Sequence, residues 1–209
     1  MSVACAVLAA GGSRRLGHPK QLLRVRDSCT LVRWAAQCAC GSCCGPISVV
    51  VGAAATDVAA AVGSLPIDIV TSFDWREGIA ASIRAATHWA LDREATALMI
   101  CLCDQPLLST RHLNALWRAS DEGERLAASH YGGKPGVPAV FPARDFGTLV
   151  ALRGDEGAAS FLRSAPGVVG VQWWEGEIDI DTPEDLIGRA GMPLGETLPD
   201  ALSMSPWKT

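Results

Sequence analysis

The sequence lacks a long hydrophobic run and an excess of basic residues. In its 209 residues, no apolar stretch approaches the roughly 20 residues that a membrane-spanning helix requires. The 18 Lys and Arg residues are outnumbered by 22 Asp and Glu residues, which gives a formal net charge of −4 at pH 7. The positive field typical of nucleic-acid-binding proteins is therefore absent, and any anion site must be local. We expect neither a nucleic acid nor a membrane as a partner.

The first residues of the chain also lack the basic leader of a secretory signal peptide. We therefore expect a cytoplasmic protein with reduced cysteines. Eight cysteines are present, and Cys40 and Cys43 have C-x-x-C spacing. No second cysteine pair or histidine follows at the distance typical of zinc modules. We predict reduced cysteines at a helix end and in a core strand, with metal binding or redox use as the alternative.

Short apolar runs alternate with segments of helical periodicity. The runs are bounded by turns and do not alternate in polarity, which is typical of strands covered on both faces. They lie at residues 3–10, 47–52, 67–71 and 97–103. Apolar stripes with helical spacing start at Leu31, Ile79 and Leu113. This order predicts an α/β fold, a single-domain, doubly wound and mostly parallel sheet whose ligand lies beyond the carboxyl ends of the strands.

The second half of the chain changes character after about residue 125. Residues 127–131 and 137–141 flank a turn at 132–136, which predicts a small β-hairpin excursion. Two short helices are expected next, the second from about Asp155. A strand at 168–173 and a last helix that opens at Thr182 follow. We expect one domain over residues 1–190 and a loosely ordered C-terminal tail over 191–209.

The first apolar run opens into a glycine-rich turn that carries cations. The turn reads GGSRRLGHPK, from Gly11 to Lys20. It offers backbone N–H groups and mobile cations to one polyanion, so we predict a phosphate site here. The turn is not a P-loop, since Lys20 is followed by Gln21, and it is not a clean G-x-G-x-x-G motif. A purely structural strand-to-helix turn is the alternative.

Acidic residues at two predicted strand ends are suited to a divalent metal. Asp104 closes the apolar run at 97–103, so its carboxylate is expected at the carboxyl end of a central strand. In a strand, Asp179 and Asp181 would point to the same side. Magnesium is commonly held by one or two carboxylates together with phosphate oxygens, so we predict Asp104 and Asp181 as a metal-binding pair. Helix capping or solvation is the alternative for Asp104 and the preferred interpretation for Asp179.

Six segments occur in an order that is typical of one family. They are LAAG at 8–11 with Ser13, Arg15, Gly17, Pro19 and Lys20; WREG at 75–78 leading to Ser82; DQP at 104–106; GVPAVF at 136–141; GDEGA at 154–158; and DIDTPEDL at 179–186. Together they resemble the molybdenum cofactor cytidylyltransferase branch of the MobA-like nucleotidyltransferases. The resemblance covers about residues 3–189.

The resemblance implies a Rossmann-like nucleotidyltransferase fold and a reaction. CMP would pass from CTP to the terminal phosphate of molybdopterin or the molybdenum cofactor, with release of pyrophosphate. The implied cofactor is Mg²⁺, held by Asp104 and Asp181. The implied catalytic residues are Arg15, Lys20 and Asp104. The implied nucleotide-binding residues are Leu8, Ala9, Ala10, Gly11, Gly12, Ser13, Arg15, Lys20, Gly78, Ser82 and Asp104. Residues 154–155 and 136–138 resemble parts of the acceptor side.

The nucleobase and the acceptor leave alternatives open. The Ala9-Ala10 pair resembles the cytidine-selecting form, whereas the guanylyl branch typically has glycine at the position of Ala10. GTP, another phosphate acceptor, or a non-catalytic cofactor chaperone for a molybdenum hydroxylase are the alternatives, and the hydroxylase apo-enzyme is a further implied partner. A phosphate monoester is already anionic near neutral pH, so transfer requires alignment and charge neutralisation more than a general base. No catalytic histidine is needed.

Overall fold

A computed structural model describes residues 3–13, 16–25 and 29–180 of the chain. The strands are β1 (Val3–Leu8), β2 (Ile47–Val51), β3 (Asp68–Thr71), β4 (Ala97–Leu102), β5 (Ala127–Tyr131), β6 (Lys134–Pro142) and β7 (Val169–Gln172). They form one seven-stranded sheet in the order β3-β2-β1-β4-β6-β5-β7. The predicted last helix at Thr182 and the predicted tail at 191–209 lie outside the described residues.

Six α-helices connect and cover these strands within the described part of the chain. They are α1 (Leu31–Cys40), α2 (Ala55–Val62), α3 (Ile79–Asp92), α4 (Thr110–Ala119), α5 (Phe146–Ala151) and α6 (Ala158–Ser164). Short 3₁₀ turns occupy Lys20–Leu22, Trp75–Glu77, Ala143–Asp145 and Trp174–Glu177. No helix among the described residues has the length and apolarity needed to cross a membrane.

The parallel half of the sheet matches the sequence prediction. β1 lies between β2 and β4, and β3 pairs with β2, all in parallel. Every residue of β1 and of β2 is buried, because helices cover both faces of the sheet. The predicted α/β fold is therefore confirmed. Helix α2 was not predicted, since its sequence is largely alanine and it buries only Val58 and Val62.

The predicted hairpin exists and belongs to the main sheet. β6 pairs antiparallel with both β5 and β4, so the hairpin extends the sheet rather than leaving it. The turn is shorter than predicted, because residues 134–136 are part of β6. A bulge in the β5–β6 pairing leaves residues 137 and 138 without opposite residues in the register of β5, which accommodates Pro138 and its missing N–H.

The last described elements follow the predicted order with shifted bounds. Helices α5 and α6 are the two predicted short helices, but α6 begins at Ala158 rather than near Asp155. The predicted strand is β7, which pairs in parallel with β5. Residues 178–180 belong to no strand, and Asp181 lies outside the described residues, so the expectation that Asp179 and Asp181 point to the same side stays a prediction.

Two apolar layers cover the faces of the sheet, and six of the eight cysteines lie within or beside one of them. Cys5 and Cys101 are buried on adjacent strands with their Sγ atoms 3.8 Å apart. Cys38 and Cys40 occupy the end of α1, and all eight cysteines are free. Burial raises the pKa of Cys38 to about 12, so its thiol stays protonated at neutral pH. The predicted placement at a helix end and in a core strand is confirmed.

Candidate active site

A cleft of about 460 Å³ opens beyond the carboxyl ends of β1 and β4. The two strands are parallel neighbours, so the segments that follow them leave the sheet at the same edge. One wall is the glycine-rich loop with Lys20, and the floor is the end of β4 with Asp104. The opposite wall is residues 75–79 with Ser82 from the first turns of α3.

The glycine-rich loop folds back on the 3₁₀ turn that contains Lys20. The side chain of Gln21 is buried, and its Nε2 donates to the carbonyl oxygens of Ala9 and Gly11, at 3.0 and 2.7 Å. The backbone N–H of Lys20 donates to Ser13 Oγ at 2.9 Å. Ser13 has a φ of 47°, a left-handed conformation uncommon outside glycine. These contacts fix the loop along the cleft.

Lys20 and Asp104 contact each other on the floor of the cleft. Lys20 Nζ donates to Asp104 Oδ2 at 2.5 Å, and the two side chains are 16% and 14% exposed. The other carboxylate oxygen, Oδ1, is buried and has no hydrogen-bond partner within the described parts of the chain. A buried oxygen in this state is unfavourable, and a hard cation would satisfy it. Asp104 therefore fits a divalent metal ion.

The segment that carries the second predicted acidic ligand reaches the same strand end. The backbone N–H of Ile180 donates to the carbonyl oxygen of Asp104 at 3.1 Å. Asp179, one residue earlier, is exposed. Asp181 and Arg15 lie outside the described residues, so their predicted roles stay predictions. Ile180 nevertheless brings the chain to the edge where the metal pair was predicted.

Trp75 and Arg76 form a wall that the sequence had not assigned. A Cβ atom built on Gly12 would lie 3.1 Å from Trp75 Cζ3, so the indole ring packs directly against the loop. The guanidinium of Arg76 lies 4.4 Å from the centroid of the Trp75 ring, in a cation–π contact.

Gly52 allows a further close approach of two segments. A Cβ on Gly52 would approach the Ala10 carbonyl oxygen to 2.7 Å. A glycine directly after an apolar strand was the available signal for that close approach.

Gly78 allows a second loop to contact the start of α3. Its φ is +131°, and a Cβ there would overlap with the Gly154 carbonyl oxygen and Asp155 Oδ1. The Glu77 carboxylate accepts from the Arg84 guanidinium and from the N–H of Gly154, the latter at 3.1 Å. Arg84, and secondly that N–H, lower the pKa of Glu77 to about 2. This network holds Asp155 at the rim of the cleft.

Every predicted nucleotide-binding residue that the structure describes lines the cleft. These residues are Leu8, Ala9, Ala10, Gly11, Gly12, Ser13, Lys20, Gly78, Ser82 and Asp104. Their roles in binding stay predictions. Four further residues line the cleft, and no individual contact was predicted for any of them from the sequence. They are Gln21, Trp75, Arg76 and Asp155. Residues 136–138 do not line it, although the Val137 carbonyl oxygen accepts from Gln105 Nε2 at 3.2 Å.

The four histidines all lie in described segments, and none lines the cleft. His112 is buried, with its Nε2 2.7 Å from Ser129 Oγ and its ring stacked on Trp173 at 4.6 Å. Burial lowers the pKa of His112 to about 4, so it is neutral at pH 7. Its role is structural, as is that of the buried Trp173. The next residue, Trp174, is 78% exposed.

Known proteins of similar sequence and structure share this fold. Nicotine blue oxidoreductase from Paenarthrobacter nicotinovorans is 32% identical over 192 residues, which cover 86% of this chain and 92% of that protein. The crystal structure of Rv0371c from Mycobacterium tuberculosis H37Rv is 31% identical, with a TM-score of 0.76, over 88% of this chain and 95% of that one. The structure described as Rv0371c in complex with manganese is 27% identical, with a TM-score of 0.71, over 88% and 96% of the two chains.

The family assignment follows from the whole matched region. The family model of the MobA-like NTP transferase domain matches residues 5–168, which include the loop, Ser82, Asp104 and the 154–158 segment. The resemblance inferred from the ordered motifs is confirmed at the level of the family. The chain belongs to the MobA-like NTP transferase family, and it is a nucleotidyltransferase enzyme.

Proposed function

We propose that this enzyme transfers CMP from CTP to the terminal phosphate of molybdopterin or the molybdenum cofactor. The observation that carries the proposal is the contact between Lys20 and Asp104 on the floor of a cleft bounded by the glycine-rich loop. A metal-bound triphosphate requires a cation, a carboxylate with one unsatisfied oxygen and a backbone loop whose N–H groups a phosphate can approach. The family assignment supports the same reaction class.

The reaction needs no proton acceptor from the protein. An oxygen of the acceptor phosphate forms a bond to the α-phosphorus of CTP, and the bond between that phosphorus and the bridging oxygen to the β-phosphate breaks. The electron pair leaves with pyrophosphate. The work of the protein is therefore alignment and neutralisation of the charge on the phosphate oxygens. We assign charge neutralisation to Lys20 and, by the resemblance, to Arg15.

Mg²⁺ is the proposed metal, with Asp104 and Asp181 as its protein ligands. The buried, unsatisfied Oδ1 of Asp104 supports the first of these assignments. When bound, the ion supplies Lewis-acid stabilisation of charge on the phosphate oxygens. Lys20 Nζ orients the Asp104 carboxylate through its contact with Oδ2. Asp104 therefore serves two partners through its two oxygens.

The nucleoside is proposed to lie between the loop and the start of α3. Ala9 and Ala10 are on one side of this region, and Gly78 and Ser82 are on the other. The resemblance of the Ala9-Ala10 pair to the cytidine-selecting form supports CTP. The buried Ser82 side chain is proposed to lie near the base or the ribose.

The test is a panel of nucleoside triphosphates offered to the purified protein with Mg²⁺ and molybdopterin. We expect a CMP adduct by mass spectrometry and an equimolar amount of pyrophosphate with CTP, and little of either with GTP, ATP or UTP. A GMP adduct would replace the cytidylyl assignment by the guanylyl one. Binding of CTP without any pyrophosphate release would instead indicate a non-catalytic cofactor chaperone.

The name of one relative, nicotine blue oxidoreductase, makes a redox reaction the second candidate. The Lys20–Asp104 pair beside the glycine-rich loop favours nucleotidyl transfer, because both features act on phosphate charge. The same preparation is therefore also incubated with NADH or NADPH and a quinone-like heterocyclic dye. Dye-dependent oxidation of the nicotinamide in place of pyrophosphate release would favour the redox candidate.

A further inference from the structure

Gln21 is a buried polar side chain beneath the glycine-rich loop. It is 1% exposed and lies in the 3₁₀ turn Lys20–Leu22. Its Nε2 donates to two loop carbonyls, those of Ala9 and Gly11, and its Oε1 accepts from the Ser13 hydroxyl at 3.4 Å. The strand ladder of β1 ends at Leu8. Gln21 therefore donates hydrogen bonds to carbonyl groups that lie beyond the hydrogen-bonded ladder of β1.

The geometry of the peptide bond gives these contacts a second consequence. A trans peptide is planar, so the N–H of one residue points opposite to the carbonyl of the residue before it. Because the carbonyls of Ala9 and Gly11 face Gln21, the N–H groups of Ala10 and Gly12 point away from it. Neither N–H donates to an acceptor within the described residues. Both residues line the cleft.

We propose that Gln21 is a positioning residue that holds the Ala10 and Gly12 N–H groups toward the phosphates of the bound nucleoside triphosphate. The inference rests on the proposed function, since it requires a nucleotide in this cleft. Backbone N–H groups that are held in place bind an anion without the entropy loss of ordering a loop. Gln21 contributes this order without contacting the reacting atoms.

Only a primary amide meets all of the contacts made at this position. Nε2 has two N–H donors, and both are used on the Ala9 and Gly11 carbonyls. A glutamate of the same shape has no donor when ionised and would bring negative charge beside the phosphates. A methionine of similar volume fills the space but leaves both carbonyls without a donor. The chemistry of the side chain, rather than its size alone, is what the proposal requires.

The first test uses the wild-type protein, labelled with ¹⁵N, and titrates it with CTP and Mg²⁺. We expect the Ala10 and Gly12 amide protons to shift downfield, as donors to phosphate oxygens do. If the protein binds no nucleoside triphosphate at all, the proposed function and this inference both fail. If CTP binds and neither amide shifts, the inference alone fails.

The second test compares Gln21→Met with Gln172→Met as a matched control. Gln172 is an exposed glutamine on β7 that donates to one carbonyl, that of His130, and it does not line the cleft. We expect the Kd for CTP with Mg²⁺, measured by calorimetry, to rise roughly tenfold in Gln21→Met, about 1.4 kcal/mol, and to stay unchanged in the control. The affinity for cytidine, which has no phosphate, should be unchanged in both variants.

A purely structural role for Gln21 gives a different result. It would lower the unfolding temperature of Gln21→Met while the folded fraction binds CTP as tightly as the wild type does. An equal loss of affinity for CTP and cytidine would also overturn the proposal. If Gln21→Met does not fold, Gln21→Glu, which has the same shape but no donor when ionised, takes its place in the comparison with the same expected and contrary results.

Discussion

Lys20 Nζ lies 2.5 Å from Asp104 Oδ2, across 84 positions of sequence. The contact joins the glycine-rich loop, which follows β1, to the end of β4. Parallel pairing of these two strands is what brings the residues together. The two carboxylate oxygens of Asp104 differ, because Oδ2 contacts the ammonium whereas Oδ1 is buried and has no hydrogen-bond partner among the described residues.

Asp104→Asn should abolish transfer while the protein keeps its fold. The amide has the shape of the carboxylate but lacks the charge that a divalent ion requires. We expect pyrophosphate release to fall on the order of 100-fold or more, since metal-ion stabilisation of the transition state is worth several kcal/mol. Asp57→Asn, at an exposed acidic residue of α2, is the control and should be fully active. Retained turnover in Asp104→Asn would remove this residue from the site.

Lys20→Met should weaken binding of the triphosphate. Hydrogen bonds to charged groups contribute about 1.5–3 kcal/mol, so we expect the KM for CTP to rise roughly 10-fold to 100-fold. Lys134→Met, at an exposed lysine of β6 that does not line the cleft, should leave KM unchanged. Steady-state pyrophosphate assays give both values. An unchanged KM in Lys20→Met would return the loop to a purely structural role.

Gly78→Ala should destabilise the protein and impair the cleft together. The backbone φ at this position is +131°, which an alanine rarely adopts. The added methyl group would also overlap with the loop at Gly154 and Asp155. Backbone strain of this kind costs about 1–3 kcal/mol, and displacement of the loop adds to it. Gly147 lies in α5, and a Cβ added there would have no atom within 4 Å. Gly147→Ala should therefore be neutral or stabilising by up to about 1 kcal/mol. Urea unfolding of both variants tests the contrast.

His112 should make the stability of the protein depend on pH. Its pKa is lowered by burial to about 4 in the folded state, against an ordinary value of 6.5. The unfolded chain therefore binds the proton first as the pH falls. Stability is fully present above about pH 6.5 and is lost as the pH falls through 4, by about 3 kcal/mol in total.

His112→Gln should remove this dependence, whereas His88→Gln, at an exposed histidine of α3, should keep it. The measurement is the free energy of unfolding in urea between pH 4 and pH 7 for the wild type and both variants. Parallel pH curves for His112→Gln and the wild type would contradict the assignment of the effect to His112.

The sequence predicted the parallel half of the fold because hydrophobic runs and helical stripes are local signals. It also predicted that the loop and Asp104 would meet, since adjacent parallel strands end at one edge of a sheet. It did not predict that the hairpin joins the main sheet, because the pairing of β6 with β4 depends on tertiary packing. Pro135 and Gly136 indicated a turn over 132–136, but both belong to β6, in which a bulge accommodates Pro138.

The walls of the cleft were less predictable than its floor. Asp104 and Lys20 are charged residues at strand or loop ends, where chemistry is expected. Gln21 has the sequence signal of an ordinary polar residue, and its burial arises only when the loop folds over it. The contact of Trp75 with Gly12 joins two segments that are distant in the chain. No local sequence pattern predicts a contact between segments that are distant in the chain.

The absence of a side chain at Gly52 determines how far apart the two walls of the cleft can be. A single methyl group there would lie 2.7 Å from the Ala10 carbonyl oxygen and 2.9 Å from Trp75 Cβ. Gly52 is not among the cleft-lining residues, yet any larger residue would force Ala10 and Trp75 apart. A position outside the cleft lining therefore sets how closely the loop that follows β1 and the segment that carries Trp75 can approach each other.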